Sequence, residues 1–390
     1  MRVMLLNSLY PPLVVGGAER SVAELARELR GLGVEVAVAT LSPDGESRPV
    51  AVWEDGIEVF RLRLANPVWP FGEAAMSTSA KAVWNLADSL NPVMGYRLLR
   101  VMRAWKPTVL HTNNLSGFSA SVWVAARILG VPTIHTARDY YLTCTASTRF
   151  RANRPCTKQC GRCRIATLPR RNLTRLLDQG VGISGFIAAT EGKLCADPSL
   201  GWTVVPNQPQ LGSTAICTGR HELKRIVYIG RIEPAKGIEV LIEATRLLRE
   251  RGLQPEVVVA GTGEDGYARG LEAMAEGTGV SLVGFRPPAE VLTTGTVVVV
   301  PSVWWEPQGR VVREARVMGL PVVASRSGGL TEEADRDRGV RLFGPGNSGE
   351  LAQILEGLLG TEWDHLPRRP DRSSPAEDYL RLYRGLVDRR

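Results

Sequence analysis

The sequence predicts an α/β protein built as two doubly wound domains, each a parallel sheet covered by helices. Three observations carry this reading. The chain has 390 residues, too many for one ordinary core and comfortable for two. Short apolar runs alternate with amphipathic stretches of helical period. That alternation happens twice, interrupted by a segment without period.

The elements follow in order. Residues 3–6 are a continuous apolar run, as expected of a strand covered on both faces. The pair Gly16-Gly17 turns the chain, and Val22, Leu25, Ala26, Leu29 and Leu32 then recur at helical spacing. Gly33 closes that helix, and residues 34–40 form the next strand. Such strand–loop–helix–strand units build parallel sheets. Further strands are expected at 108–111, 132–136 and 180–183. The pattern restarts with a strand at 225–229, a helix at 238–251, and strands at 257–260, 297–301 and 321–324. The expected organisation is a first domain over 1–206, a linker over 207–220 rich in Gly, Pro, Ser and Gln, a second domain over 221–375, and a closing helix over 376–390. Tyr379, Leu380, Tyr383 and Leu386 share one face of that helix, so it should pack rather than trail. Two doubly wound domains would set a ligand cleft at the carboxyl ends of their strands.

Composition narrows the function classes. Apolar residues are 44% and charged residues 23%, an ordinary globular mixture, and no apolar run is long enough to span a bilayer. The first residues read as a strand rather than a signal peptide, so a cytoplasmic protein is expected. The formal charge of +8 admits nucleic acid, an anionic membrane surface or anionic small molecules as partners. Arg149, Arg151, Arg154, Lys158, Arg162, Arg164, Arg170, Arg171 and Arg175 cluster with no acid among them. They lack aromatic interleaving or a zinc-finger helix, which disfavours nucleic acid. A solvated face, or contact with anionic lipid at the inner membrane face or with an anionic acceptor, remains.

Three constellations carry chemistry. In Pro301-Ser302-Val303-Trp304-Trp305-Glu306-Pro307-Gln308-Gly309-Arg310-Val311-Val312-Arg313-Glu314, a strand runs into a loop and then a helix. The helix start at Gly309, Arg310 and Val311 offers backbone N–H groups and positive dipole to a diphosphate. Glu306 precedes it and Glu314 lies one turn inside, which puts a carboxylate on either side for sugar and ribose hydroxyls. In Gly230-Arg231-Ile232-Glu233-Pro234-Ala235-Lys236-Gly237, again between strand and helix, Arg231 supplies a planar fork and Lys236 a point charge suited to a leaving diphosphate. Taken alone this could equally be a surface turn. Gly16-Gly17-Ala18-Glu19-Arg20 allows close approach of backbone to phosphate but lacks the three-glycine dinucleotide fingerprint, which disfavours nicotinamide and flavin enzymes.

These residues resemble the retaining, metal-independent glycosyltransferases of glycosyltransferase family 4 (group 1). The resemblance spans nearly the whole chain, and it is most specific at Glu306 and Glu314 with Gly309, Gly319 and Pro321, at Gly230-Arg231 with Lys236-Gly237, and at Ser327-Gly328-Gly329-Leu330-Thr331-Glu332. It implies the GT-B fold, two Rossmann-like domains facing a central cleft, with the closing helix crossing back to the N-terminal domain. It implies that a nucleoside-diphosphate sugar is the donor and that no catalytic metal is required. Glu314 would then bind the ribose; Arg231, Lys236, Gly16, Gly17 and the amides of Gly309, Arg310 and Val311 would hold the diphosphate; Glu306 would contact the donor sugar and support catalysis together with Lys236 and Arg231. The acceptor would be a glycan, a lipid-linked sugar or a small molecule, in polysaccharide, glycolipid or glycoside synthesis. Gln308 stands where the family usually has phenylalanine, and Arg138 stands where many members have a histidine beside the reacting sugar. Arg138 and Asp139 are therefore the expected acceptor-side residues. A silent nucleotide-sugar-binding subunit, or an epimerase or phosphorylase on the same scaffold, is the alternative reading.

Six cysteines occur, four of them clustered: Cys144, Cys156, Cys160 and Cys163. Their spacing suits a structural zinc, plain thiols or a disulfide, or an iron–sulfur cluster. His111 ends a strand and could face the cleft from the acceptor side, or be a satisfied structural histidine.

Overall fold

The structure is a computed structural model that describes residues 1–46, 51–66, 68–71, 77–209, 216–365 and 374–389. The expected linker falls partly, at 210–215, outside the described residues. The chain divides into two compact units. The first comprises Met1–Arg149, Thr157–Asn207 and Ser373–Arg390, the second Phe150–Cys156 and Gln208–Arg372.

Among the described residues, the first unit holds an eight-stranded sheet in the order Trp202–Val204, Gln179–Gly182, Thr133–Ala137, Val109–Thr112, Arg2–Leu6, Glu35–Ser42, Ile57–Arg63, Val52–Glu54. Every neighbouring pair is parallel except the last. The chain starts mid-sheet, runs to one edge and returns, so the order reverses between Arg2–Leu6 and Val109–Thr112. Helix Gly17–Gly31 buries Val22, Leu25, Ala26 and Leu29 against Val3, Leu5, Val36 and Val38. Helix Pro375–Val387 adds Ala376, Tyr379, Leu380, Tyr383 and Leu386 to the same core. Its start is a capping box, in which the Glu377 N–H donates to Ser374 Oγ at 3.2 Å and the Ser374 N–H to Glu377 Oε2 at 3.1 Å.

Among its described residues the second unit holds a six-stranded, all-parallel sheet in the order Val280–Leu282, Glu256–Ala260, Arg225–Ile229, Thr296–Val300, Val322–Ser325, Val340–Phe343. Its order reverses between Arg225–Ile229 and Thr296–Val300. Val297 and Val299 pack into one core cluster and Val298 and Val300 into another, which is why this strand is apolar from 297 to 300. The strands expected from the sequence lie within one or two residues of those found. Strand Ile57–Arg63 and helices Thr78–Ser89 and Pro92–Trp105 were not among the expected elements. Helix Thr78–Ser89 exposes Val83 and Leu86 while burying Trp84, so its apolar residues lie on opposite sides and blur the helical period.

Candidate functional site

In an open parallel sheet the loops leaving two strands diverge where the order reverses, and ligands bind there. In the second unit those loops are residues 230–237 and 301–309, the two constellations singled out in the sequence. Glu306, 7% exposed, accepts a hydrogen bond on Oε1 from Lys236 Nζ at 2.6 Å and another from Ser302 Oγ at 2.7 Å. Lys236 Nζ also stands 4.9 Å from the centre of the Trp304 ring. Burial would raise the Glu306 carboxyl, but the Lys236 ammonium and hydrogen bonds from Lys236, Ser302 and Trp304 outweigh it and hold its pKa below the ordinary value. The carboxylate is thus ionised inside a nearly dry loop.

The loop keeps its shape because glycines press against it. Gly328 has φ +59°, and a Cβ there would come within 2.4 Å of the Glu306 carbonyl oxygen. The Gly329 N–H donates to that same oxygen at 2.7 Å. Gly309, φ +87°, caps helix Arg310–Val317, and a Cβ on it would strike Leu330. One turn inside that helix Glu314 is buried and accepts from Arg310 Nη2 at 2.9 Å. Arg231 is half exposed and pairs with Glu233 at 3.1 Å. Its carbonyl accepts from the buried Tyr228 hydroxyl at 2.6 Å. Burial and the nearby Glu306 and Glu233 push that hydroxyl well up, so Tyr228 stays a neutral donor. Ser302, Trp304 and Tyr228 had no expected role. Each lies within or beside a quoted motif, yet only the packing reveals its contact.

In the first unit the corresponding reversal joins Asn7 and Asn114, whose N–H donates to Asn7 Oδ1 at 3.0 Å. Arg138 is buried, donates from Nε to Asn113 Oδ1 at 2.8 Å, and also bonds Asn207. The Asp139 carboxylate accepts the Tyr141 N–H at 2.8 Å. Its pKa rises to about 6, chiefly by burial, with Glu19 adding to the rise and Arg170 opposing it. Glu19 itself accepts the Gly16 N–H at 2.9 Å, so a carboxylate already occupies one of the amides expected to meet phosphate. Glu191, buried, accepts from Thr143 Oγ1 at 2.6 Å, and burial pushes its pKa to about 8.

His111 turns out to be the structural of its two alternatives. It is fully buried, with Nδ1 2.6 Å from the Tyr383 hydroxyl and Nε2 2.8 Å from Thr136 Oγ1. Thr136 in turn meets the Tyr379 hydroxyl at 2.9 Å. Burial, with Arg138 and His135 nearby, lowers the His111 pKa well below its ordinary value. Both ring nitrogens are therefore spent on fastening helix Pro375–Val387.

The basic cluster is not one solvated face either, since Arg149 and Arg170 are buried. The cysteines are free thiols. The Arg149 N–H donates to Cys144 Sγ at 3.4 Å, and Thr145 Oγ1 lies 3.6 Å from Cys163 Sγ. Cys160 and Cys144 both neighbour Cys163. Among the described residues, however, no group of three or more His, Cys, Asp or Glu is arranged to hold a metal ion, so the expected zinc ligand set is not assembled there.

Comparison with known proteins matches residues 223–361 to the family model for glycosyl transferases group 1 and residues 16–168 to that for the glycosyl transferase 4-like domain. Together these matches take in well over half of the chain. An uncharacterized 42.6 kDa protein in the cps region of Klebsiella pneumoniae is 29% identical over 332 residues, 85% of this chain and 87% of its own. A D-inositol 3-phosphate glycosyltransferase of Thermomonospora curvata is 28% identical over 384 residues, 92% of this chain and 84% of its own. Among solved structures, Anabaena HepE in complex with UDP superposes with a TM-score of 0.63 at 19% identity, covering 92% of this chain and 89% of that one.

Proposed function

We propose, from the premise that this chain is a GT-B glycosyltransferase of the group 1 type, that it transfers a sugar from a nucleoside diphosphate to an acceptor hydroxyl with retention at the anomeric carbon. The observation that carries the reading is the Lys236–Glu306 pair at the strand-order reversal, beside the start of helix Arg310–Val317. As the bond between the anomeric carbon and the diphosphate breaks, negative charge grows on the leaving oxygens. Lys236, Arg231 and the helix amides stand to stabilise it, so the charge can be met without a divalent metal. Glu306, held ionised, suits the sugar side, where positive charge develops. Glu314, on the same helix, suits the ribose hydroxyls, exchanging Arg310 for them. The acceptor oxygen forms its bond on the face the diphosphate leaves, and its proton passes to a diphosphate oxygen. The resemblance of the segment around Glu306 and Glu314 to retaining enzymes supports that stereochemistry. Arg138 and Asp139 are assigned to the acceptor.

The bound UDP of the Anabaena protein makes a uridine diphosphate sugar the first donor to try. A thermal-shift screen of UDP-, GDP- and ADP-sugars is expected to find one that raises Tm, because a ligand bound to the native state stabilises it. The product anomer read by NMR then tests retention. No rise with any donor would sink the donor assignment, and an inverted product would sink the mechanism.

A further inference from the structure

Apolar side chains gather in the open on the first unit. Helix Thr78–Ser89 turns Trp84 and Asp88 inward and Val83 and Leu86 outward, and Leu90 continues the outer stripe. Leu86 and Ile165 are each 77% exposed, and Leu168 is half exposed. Buried polar groups fasten these elements together. Arg170 Nη2 and Asp88 Oδ2, on fully buried side chains, pair at 2.8 Å, and the Arg170 guanidinium lies 3.9 Å over the Tyr141 ring. Ser89 Oγ donates to the Ala166 carbonyl at 2.5 Å. Helix Thr78–Ser89 is thereby held against helices Gly161–Ala166 and Leu168–Leu173, so the elements that carry Leu86, Leu90, Ile165 and Leu168 are neighbours.

The elements that carry this face bring charge of one sign. Asp88, buried and paired, is the single acid in residues 77–106, and residues 157–177 contain none. Lys81, Arg162 and Arg164, on these same elements, are exposed. A contiguous exposed apolar patch marks a contact surface. A second copy of this chain would bring the same positive rim against it, whereas an anionic surface would neutralise that rim. Long basic side chains beside apolar ones match a headgroup layer over acyl chains.

We propose that this face docks on an anionic lipid bilayer, with Val83, Leu86, Leu90 and Ile165 entering the boundary between headgroups and acyl chains and Arg162 and Arg164 meeting the phosphates. The docking is independent of the transfer chemistry, so its test uses no turnover. The full-length protein is sedimented with vesicles of phosphatidylcholine alone and with about 30% phosphatidylglycerol added. Binding is expected only to the anionic vesicles and should weaken as salt rises. Leu86→Glu with Ile165→Glu should cut binding at least about tenfold, and so should Arg162→Glu with Arg164→Glu, each with Tm unchanged. Should the first pair lower Tm, the second still gives the reading. Equal binding to neutral vesicles, binding to neither, or undiminished binding by both double variants would overturn the proposal. So would a dimer in light scattering that the Leu86→Glu, Ile165→Glu variant dissolves, since the face would then belong to a second copy.

Discussion

The two units each carry a strand-order reversal, and the two reversals treat charge differently. In the second unit the charges there are matched: Lys236 with Glu306, Arg310 with Glu314, Arg231 with Glu233. In the first, Arg138 bonds the neutral side chains of Asn113 and Asn207. Near it, burial drives Asp139 and Glu191 to pKa values of about 6 and about 8. In the second unit Glu306 is held ionised by the Lys236 ammonium and its hydrogen bonds. The first holds carboxyls whose charge changes around neutral pH. Similar topology thus supports two electrostatic designs: a carboxylate held ionised by a lysine on one side, and carboxyls raised by burial on the other.

The largest effect should come from breaking the matched side. Lys236→Ala leaves Glu306 buried without its ammonium and removes the charge proposed to face the leaving group. Donor turnover without acceptor, measured as nucleotide release, should fall about 10²–10³-fold. Arg138→Ala should leave that rate within about threefold; an equal loss would erase the division between the two sites.

The next effect sharpens the unmatched side. The Glu191 pKa is raised from its ordinary value near 4.5 to about 8, so the native state keeps a proton that the unfolded chain releases. Its contribution is fully present below the ordinary value and is lost as pH climbs through about 8. Glu191→Gln should remove about 3–4 kcal/mol of that decline between pH 5 and pH 8, as read by urea unfolding; an unchanged slope would refute it. Glu306 has the opposite sign: its lowered pKa adds stability above the ordinary value that is lost as pH falls through the folded one. The smallest effect is expected of Tyr383→Phe, which strips His111 Nδ1 of its partner. It should cost about 1 kcal/mol with nucleotide-sugar binding untouched.

The second unit was the more legible in sequence. Its site residues come from two short segments, each following an apolar strand, so local pattern together with the family resemblance brought Lys236 and Glu306 into one hypothesis. The first unit gathers its groups from farther apart. His111 meets Tyr383 across 272 residues, and Asp88 meets Arg170 across 82. No local period encodes such pairings, and so His111 looked as much like a site residue as a structural one, and Arg170 like part of a solvated cluster. Glu19 and Glu191 carried no signal because an acid at a helix start or inside a helix is ordinary until its burial is known.

The position of helix Pro375–Val387 in the chain also bears on how the protein is made. Tyr379, Tyr383 and Leu386 complete a core whose strands, Arg2–Leu6 and Glu35–Ser42, leave the ribosome long before them. During synthesis the first unit must wait with Val3, Leu5 and Val38 incompletely covered while the second, whose sheet is contiguous in sequence, can close its own. The domain begun first is finished last. A chain stalled after residue 365 would therefore carry a completed second unit and a first unit with an open apolar face, the kind of surface that chaperones hold.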